Sequence, residues 1–187
     1  FFGPVRVSVM LDANGCNTTA AAAVAKMLSV TDLVGKKAVV LAGTGPVGQR
    51  AAAMLVRSGV SVTLTSRSLA RAQAACQAIA ARFGLAVSAA AAAGEEQTRA
   101  VLQDAAAVLC CGAAGVTLLP QSIWEGHATL AVLADVNAVP PTGIEGIKPQ
   151  WNGKDKAGKI IFGATGIGGL KMKLHRACVA QLFEQND

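Results

Sequence analysis

Gly43-Thr-Gly-Pro-Val-Gly48 has the spacing G-x-G-x-x-G, directly after the apolar run Ala38-Val-Val-Leu-Ala42. A glycine turn between a strand and a helix brings free backbone N–H groups and the positive end of the helix up to a pyrophosphate. In that role Gly43 permits the tight turn, Gly45 lets the backbone approach the phosphates, and Gly48 lets helix and strand pack closely. Thr44, Pro46 and Val47 complete the loop. About twenty residues further on, an NAD site usually places an acid against the ribose 2′-hydroxyl. Here the chain reads Thr65-Ser-Arg-Ser68. Arg67 can fork onto a 2′-phosphate, Ser66 and Ser68 can donate to it, and Arg71 lies within reach, so the pattern predicts NADP as cofactor. Cys110-Cys-Gly-Ala-Ala-Gly115 ends another apolar run. Its small residues Cys111, Gly112 and Ala113 are expected beside the nicotinamide, with Cys111 serving packing and not chemistry.

The acid–base equipment of an alcohol dehydrogenase is missing. Neither His127 nor His175 has a carboxylate at helical spacing, and there is no Ser-x-x-Lys, Tyr-x-x-x-Lys or metal-ligand cluster. A hydride donor that becomes a stabilised cation needs none of these. An N,N′-methylene bridge turning into an amidinium releases no proton at the reacting carbon, so holding two rings face to face and tuning charge suffices. Asp12 and Asp135 each follow an apolar run, where each can face a developing cation or, equally, cap a turn.

The elements that must position these groups alternate. Strands are expected at Val5–Leu11, Ala38–Ala42, Val60–Thr65, Leu85–Ser88, Ala107–Cys111, Thr129–Val136 and Ile160–Gly163. Helices are expected from a Thr18 or Thr19 cap to Leu28, from the glycine loop to Ser58, and over Leu69–Phe83, Glu95–Ala105 and Gly168–Glu184, the last entered through a turn at Gly166–Gly169. Strands alternating with helices of ten to fifteen residues call for an α/β fold, a Rossmann-type doubly wound parallel sheet. Three divisions follow: residues 1–30, the end of a substrate domain and a crossing helix; 31–165, the NADP-binding domain; and 166–187, a helix returning to the cleft.

Composition agrees with an ordered chain, since 52% of the 187 residues are hydrophobic and only 15% charged. Five cysteines without a C-x-x-C pair point to reduced thiols, hence a cytoplasmic setting, and not to metal. No signal-peptide pattern or membrane-length apolar run is present. The net charge of +6 gathers in part between Lys154 and Arg176, a surface that attracts polyanions or simply meets solvent. The chain opens at Phe1 without an initiator Met, which suggests a missing N-terminal part.

Three stretches, Leu11-Asp-Ala-Asn-Gly-Cys-Asn-Thr-Thr-Ala-Ala-Ala22, Val39-Val-Leu-Ala-Gly-Thr-Gly-Pro-Val-Gly48 and Gly166-Ile-Gly-Gly-Leu-Lys-Met-Lys-Leu-His-Arg-Ala177, closely resemble bacterial NADP-dependent methylene-tetrahydromethanopterin dehydrogenase, a family that also accepts methylene-tetrahydrofolate. Asp135-Val-Asn-Ala-Val-Pro-Pro141 adds to the likeness. The middle stretch is shared by many Rossmann domains, whereas the outer two are specific. The resemblance implies a pterin cleft between a substrate domain and the NADP domain, and one-carbon metabolism as the setting. It implies Asp12, Asn14, Asn17 and Thr18 on the pterin side, Asp135 and Asn137 opposite, and Lys171 as the catalytic residue. It further implies an N-terminal domain preceding Phe1 and a short segment beyond Asp187. Partners are expected to be the tetrahydropterin substrate and identical copies in a homo-oligomer, without nucleic acid or membrane. Two other readings compete: a shikimate-dehydrogenase-like oxidoreductase, which needs a Lys–Asp pair acting on a hydroxyl, and a non-catalytic dinucleotide-binding module whose basic face takes nucleic acid.

Overall fold

A computed structural model describes residues 8–184. One seven-stranded sheet runs through it: β1 (Lys37–Leu41), β2 (Ser61–Ser66), β3 (Ser88–Ala91), β4 (Ala105–Cys110), β5 (Val132–Asp135), β6 (Asn152–Lys156) and β7 (Lys159–Phe162). The helices are α1 (Cys16–Leu28), α2 (Pro46–Arg57), α3 (Leu69–Phe83), α4 (Glu95–Leu102), α5 (Gln121–Trp124) and α6 (Ala164–Glu184). The strand order is β3-β2-β1-β4-β5-β7-β6, parallel throughout except for β6 against β7. The order reverses between β1 and β4, and such a switch opens a crevice at the C-terminal strand ends. This is the doubly wound α/β architecture expected from the alternating pattern.

Alternation along β1 divides the interior. Ala38 and Val40 face a core shared with α1, α2 and α3, while Val39 and Leu41 face a second core closed by Leu102, Ile123 and Trp124. Small side chains make the first core thin. Ala20, Ala22, Ala23, Ala51 and Ala52 are fully buried, so α1 and α2 lie close together on the sheet. No helix among the described residues is long and apolar enough to cross a membrane.

Several boundaries differ from those the sequence suggests. Part of the strand expected at Val5–Leu11 lies outside the described residues, and residues 8–12 belong to no strand. The third strand is Ser88–Ala91 and not Leu85–Ser88, because its partner fixes the register, with Thr63 opposite Ser88 and Ser66 opposite Ala91. Helix α4 stops at Leu102, and Asp104, at φ 58°, turns the chain straight into β4. Helix α6 begins at Ala164 and runs through the glycines where a turn at Gly166–Gly169 is expected. Gly166 serves close approach, since a Cβ there would fall on the Trp151 carbonyl. So does Gly163 just before the helix, where one would fall on the Lys148 and Pro149 carbonyls, whereas a Cβ on Gly168 or Gly169 would meet nothing within 4 Å. Strand β6 is absent from the sequence reading, since its exposed lysines look like a solvated loop.

Candidate active site

A cavity of about 350 Å³ occupies the crevice over the strand ends. Leu41 and Ala42 at the end of β1, Thr65 and Ser66 from β2 with Arg67 just after it, Ala92 after β3, and Cys111, Gly112 and Ala113 after β4 all line it. Thr44 and Gly45 form its floor at the start of α2. Arg71 on α3 and the buried Thr98 on α4 complete the wall, which contains no carboxylate. Arg71, in the first turn of α3, stands four residues beyond Arg67, a spacing legible in sequence. Thr98 comes from a separate βα unit and leaves no local signal.

The three glycines of the loop do different work. A Cβ on Gly48 would fall on the backbone of Gly43, so that residue keeps helix and turn in contact. Gly43 is held between the side chains of Val40 and Leu64. Around Gly45, by contrast, a Cβ would meet nothing within 4 Å. Its lack of a side chain leaves space in the cavity and is not needed for packing. Gly45 is extended at ψ 174°, Pro46 takes the first helical position, and no side chain caps α2. Its first-turn amides therefore remain available to an anion. Pro46, Val47 and Gly48 shape this turn without lining the cavity. Ser68 also lies outside the lining, its N–H 3.4 Å from Ser66 Oγ just before α3.

Burial pushes the Cys111 thiol up to about 12, with the Asp135 carboxylate adding to the rise. Burial also pushes the Cys110 thiol well above its ordinary value, with Asp135 and Cys111 adding to the rise. Both are neutral thiols at pH 7, and neither supplies a thiolate.

A second group of polar residues gathers where α1 meets α6. Asp12 Oδ1 accepts the N–H groups of Asn17 (2.9 Å) and Thr18 (3.2 Å), and Oδ2 accepts the Thr18 hydroxyl (2.7 Å). Asp12 thus caps α1, a role the sequence assigns to Thr18 or Thr19. Asn14 at φ 53° and Gly15 at φ 67° swing the chain into the helix. Gly15 is also required by approach, since a Cβ there would lie 2.7 Å from Lys171 Nζ. His175 Nδ1 stands 3.5 Å from Asp12 Oδ2, one turn beyond Lys171 on α6. The sequence offered His175 no carboxylate because the two residues are 163 positions apart, and only the fold joins them. Burial works against the Asp12 carboxylate, but the hydrogen bonds from Thr18, Asn17 and His175 outweigh it and hold its pKa below the ordinary value.

The cap carries a prediction. Asp12→Ala is expected to cost about 1 kcal/mol of stability at neutral pH. A carboxyl with a depressed folded-state pKa stabilises fully above its unfolded value and loses that contribution as pH falls through the folded one. Urea denaturation should therefore separate the variant from the unaltered chain at pH 7 and bring them together in strong acid. A gap that persists in acid would show that the carboxylate charge plays no part.

Asp135 and Asn137 take a different position from that group. Asp135 is fully buried at the end of β5, its oxygens accepting the N–H groups of Asn137 (2.9 Å) and Ile144 (3.1 Å). Burial raises its pKa against those bonds. Asn137 Oδ1 in turn accepts the Val139 N–H, and its Nδ2 donates to the Pro141 carbonyl. The pair closes its own loop, residues 135–144, beside the cavity strand β4.

No family model matches the chain. "Bifunctional protein MdtA" of Methylorubrum extorquens is 51% identical over 189 residues, covering all of this chain and 66% of that protein. The NAD(P)-dependent methylenetetrahydromethanopterin dehydrogenase of the same organism is 32% identical over 200 residues, with the same coverage. The chain thus spans 66% of the length of these relatives. Among solved structures, the transhydrogenase of Sinorhizobium meliloti superposes with a TM-score of 0.66 at 16% identity, over 91% of this chain and 56% of that one. Quinate dehydrogenase of Corynebacterium glutamicum, in complex with NAD, gives 0.59 at 23% identity, over 83% and 54%. At such identities the likeness is one of fold.

Proposed function

The chain belongs to the family of these two Methylorubrum extorquens proteins, and from that premise we propose that it is an NADP-dependent dehydrogenase oxidising methylene-tetrahydromethanopterin or methylene-tetrahydrofolate to the methenyl form. The observation that carries this reading is the cavity at the β1/β4 switch, with two arginines and no carboxylate at its far wall and open space above Gly45. These residues fit a phosphorylated dinucleotide. The Gly43–Gly48 turn would hold the pyrophosphate, Arg67 and Arg71 the 2′-phosphate, and Cys111, Gly112 and Ala113 the nicotinamide side. Bound there, the nicotinamide supplies a hydride acceptor.

The protein's own share is orientation and charge. Removing a hydride from a methylene bridged between two nitrogens leaves an amidinium and no proton to collect. That matches a site whose cysteines are held protonated and whose buried Asp135 is committed to its loop. The shikimate-dehydrogenase-like alternative needs a Lys–Asp pair. Among the described residues Lys171 forms no ion pair, and Asp12 meets Thr18 and His175 instead. Asp12, Asn14, Asn17, Thr18 and Lys171 would face the pterin, with Asp135 and Asn137 across the cleft.

Lys171 is half-buried against Gly15, where it can grip a carbonyl or carboxylate of the pterin. A bare cation aimed at the reacting carbon would oppose the positive charge that develops there. Lys171→Met keeps the stem and removes the charge, while the exposed Lys173→Met is the control. The first is expected to lower turnover per bound substrate at least tenfold with NADP affinity preserved, and the second to change little. Matching rates would remove Lys171 from catalysis. The activity itself is tested by NADPH absorbance with both methylene-tetrahydropterins, using this chain and an N-terminally extended one, and no NADPH from either chain would overturn it.

A further inference from the structure

Between Leu33 and Gly94 the chain contains seven Lys and Arg and not one Asp or Glu. Arg67 and Arg71 belong to the cavity already described. Three others, Arg50, Arg57 and Arg82, converge on a separate cavity of about 110 Å³ between α2, α3 and the start of α1, together with Asn17 and Phe83.

Arg50 and Arg57 stand seven residues apart on α2, hence on one face about 10 Å apart along its axis. The guanidinium of Arg57 lies 5.9 Å from the centre of the Phe83 ring, and that of Arg82 lies 5.2 Å from it. Two cations therefore share one aromatic ring. Arg50 donates through Nε to Asn17 Oδ1 and through one terminal nitrogen to the Pro46 carbonyl (3.0 Å). None of the three arginines forms a salt bridge among the described residues. Like charges gathered without a counter-charge raise one another's energy, and an anion seated among them relieves it. Guanidinium forks suit carboxylate and phosphate oxygens in particular.

The position says which anion. Asn17 belongs both to this cavity and to the Asp12 cluster, since its N–H donates to Asp12 and its side chain meets Arg50. The cavity is thus one side chain away from the residues proposed to face the pterin. Its volume admits a single phosphate or carboxylate group and not a polymer. We propose that Arg50, Arg57 and Arg82 form a subsite for the anionic tail of the tetrahydropterin substrate, the carboxylate- or phosphate-bearing end remote from the reacting ring. This inference rests on the functional reading above and deepens it.

The test uses a chain carrying Arg57→Gln and Arg82→Gln, both exposed positions outside the proposed dinucleotide and pterin contacts. Four substrates grade the tail: methylene-tetrahydropteroate, which lacks the glutamate; the mono- and triglutamate forms of methylene-tetrahydrofolate; and methylene-tetrahydromethanopterin. KM and kcat come from NADPH formation, and dissociation constants from calorimetric titration in the presence of NADP. In the unaltered chain the tail-bearing substrates should bind more tightly than the pteroate, by a margin that shrinks with added salt. In the variant their KM and dissociation constants should rise at least tenfold, with kcat and the pteroate values unchanged. Unchanged affinity for tail-bearing substrates, or an equal loss for the pteroate, would overturn the subsite while leaving the enzyme's function standing. Failure of both the unaltered chain and its N-terminally extended form to yield NADPH from any of the four would overturn the functional reading, and the tail assignment with it.

Discussion

Gly45→Val is expected to abolish NADP binding, with an affinity loss of a hundredfold or more, while the melting temperature stays where it is. Two observations combine to give this result. A Cβ at residue 45 meets no atom within 4 Å, so the fold has room for a side chain there. The room it would occupy is the floor of the cavity, directly before the uncapped first turn of α2. A branched side chain would stand where the pyrophosphate must approach the helix amides. Gly48→Val gives the opposite signature, because its Cβ falls on the Gly43 backbone. That variant should lose stability first and binding only as a consequence. Thermal melts and calorimetric titration of both variants separate the cases. A Gly45→Val protein with normal affinity would take the glycine loop out of the site.

Arg67→Ala is expected to weaken NADP about ten- to a hundredfold and leave NAD nearly unchanged. Removing one charge-assisted contact to a 2′-phosphate typically costs about 1.5–3 kcal/mol, and NAD has no phosphate there to lose it. Arg71 lines the same wall, so the single variant keeps one cation and the Arg67, Arg71 double variant should lose more. Dissociation constants for both dinucleotides decide the matter. Equal losses for NADP and NAD would show that Arg67 serves the β2–α3 turn and not the phosphate.

Much of the cavity over the strand ends was legible because its signals are local. Gly43–Gly48 and Ser66–Arg67 sit within a few residues of the strand ends that carry them, and the chain's alternation forces those ends to one side of the sheet. Helix α3 matches its sequence boundaries because Gly84, at φ 67°, stops it in a conformation that suits glycine. What the sequence hid was pairing between distant elements. Asp12 with His175, Lys171 over Gly15, and Arg50 with Asn17 each join residues far apart in the sequence. The glycines at the head of α6 misled for a related reason. They read as a turn, whereas the close approach of Trp151 explains one of them, Gly166. Strand β6 was hidden by its own composition, since Asn152–Lys156 has no apolar alternation and is held by its ladder with β7.

That last strand bears on how the sheet ends. A sheet edge is a row of unpaired N–H and C=O groups, open to any strand that arrives. Strand β6 presents Lys154, Asp155 and Lys156 there, and its ladder slips in register between Asn152 and Lys154, beside Gly153 at φ 78°. Lys156 is tied back over the Trp124 ring and to Glu125, 3.3 Å away, and Lys159 is buried. The lysine cluster that in sequence looks like bait for a polyanion thus works here as a selvedge: charged, kinked and finished, it makes a poor template for edge-to-edge aggregation on that side of the sheet.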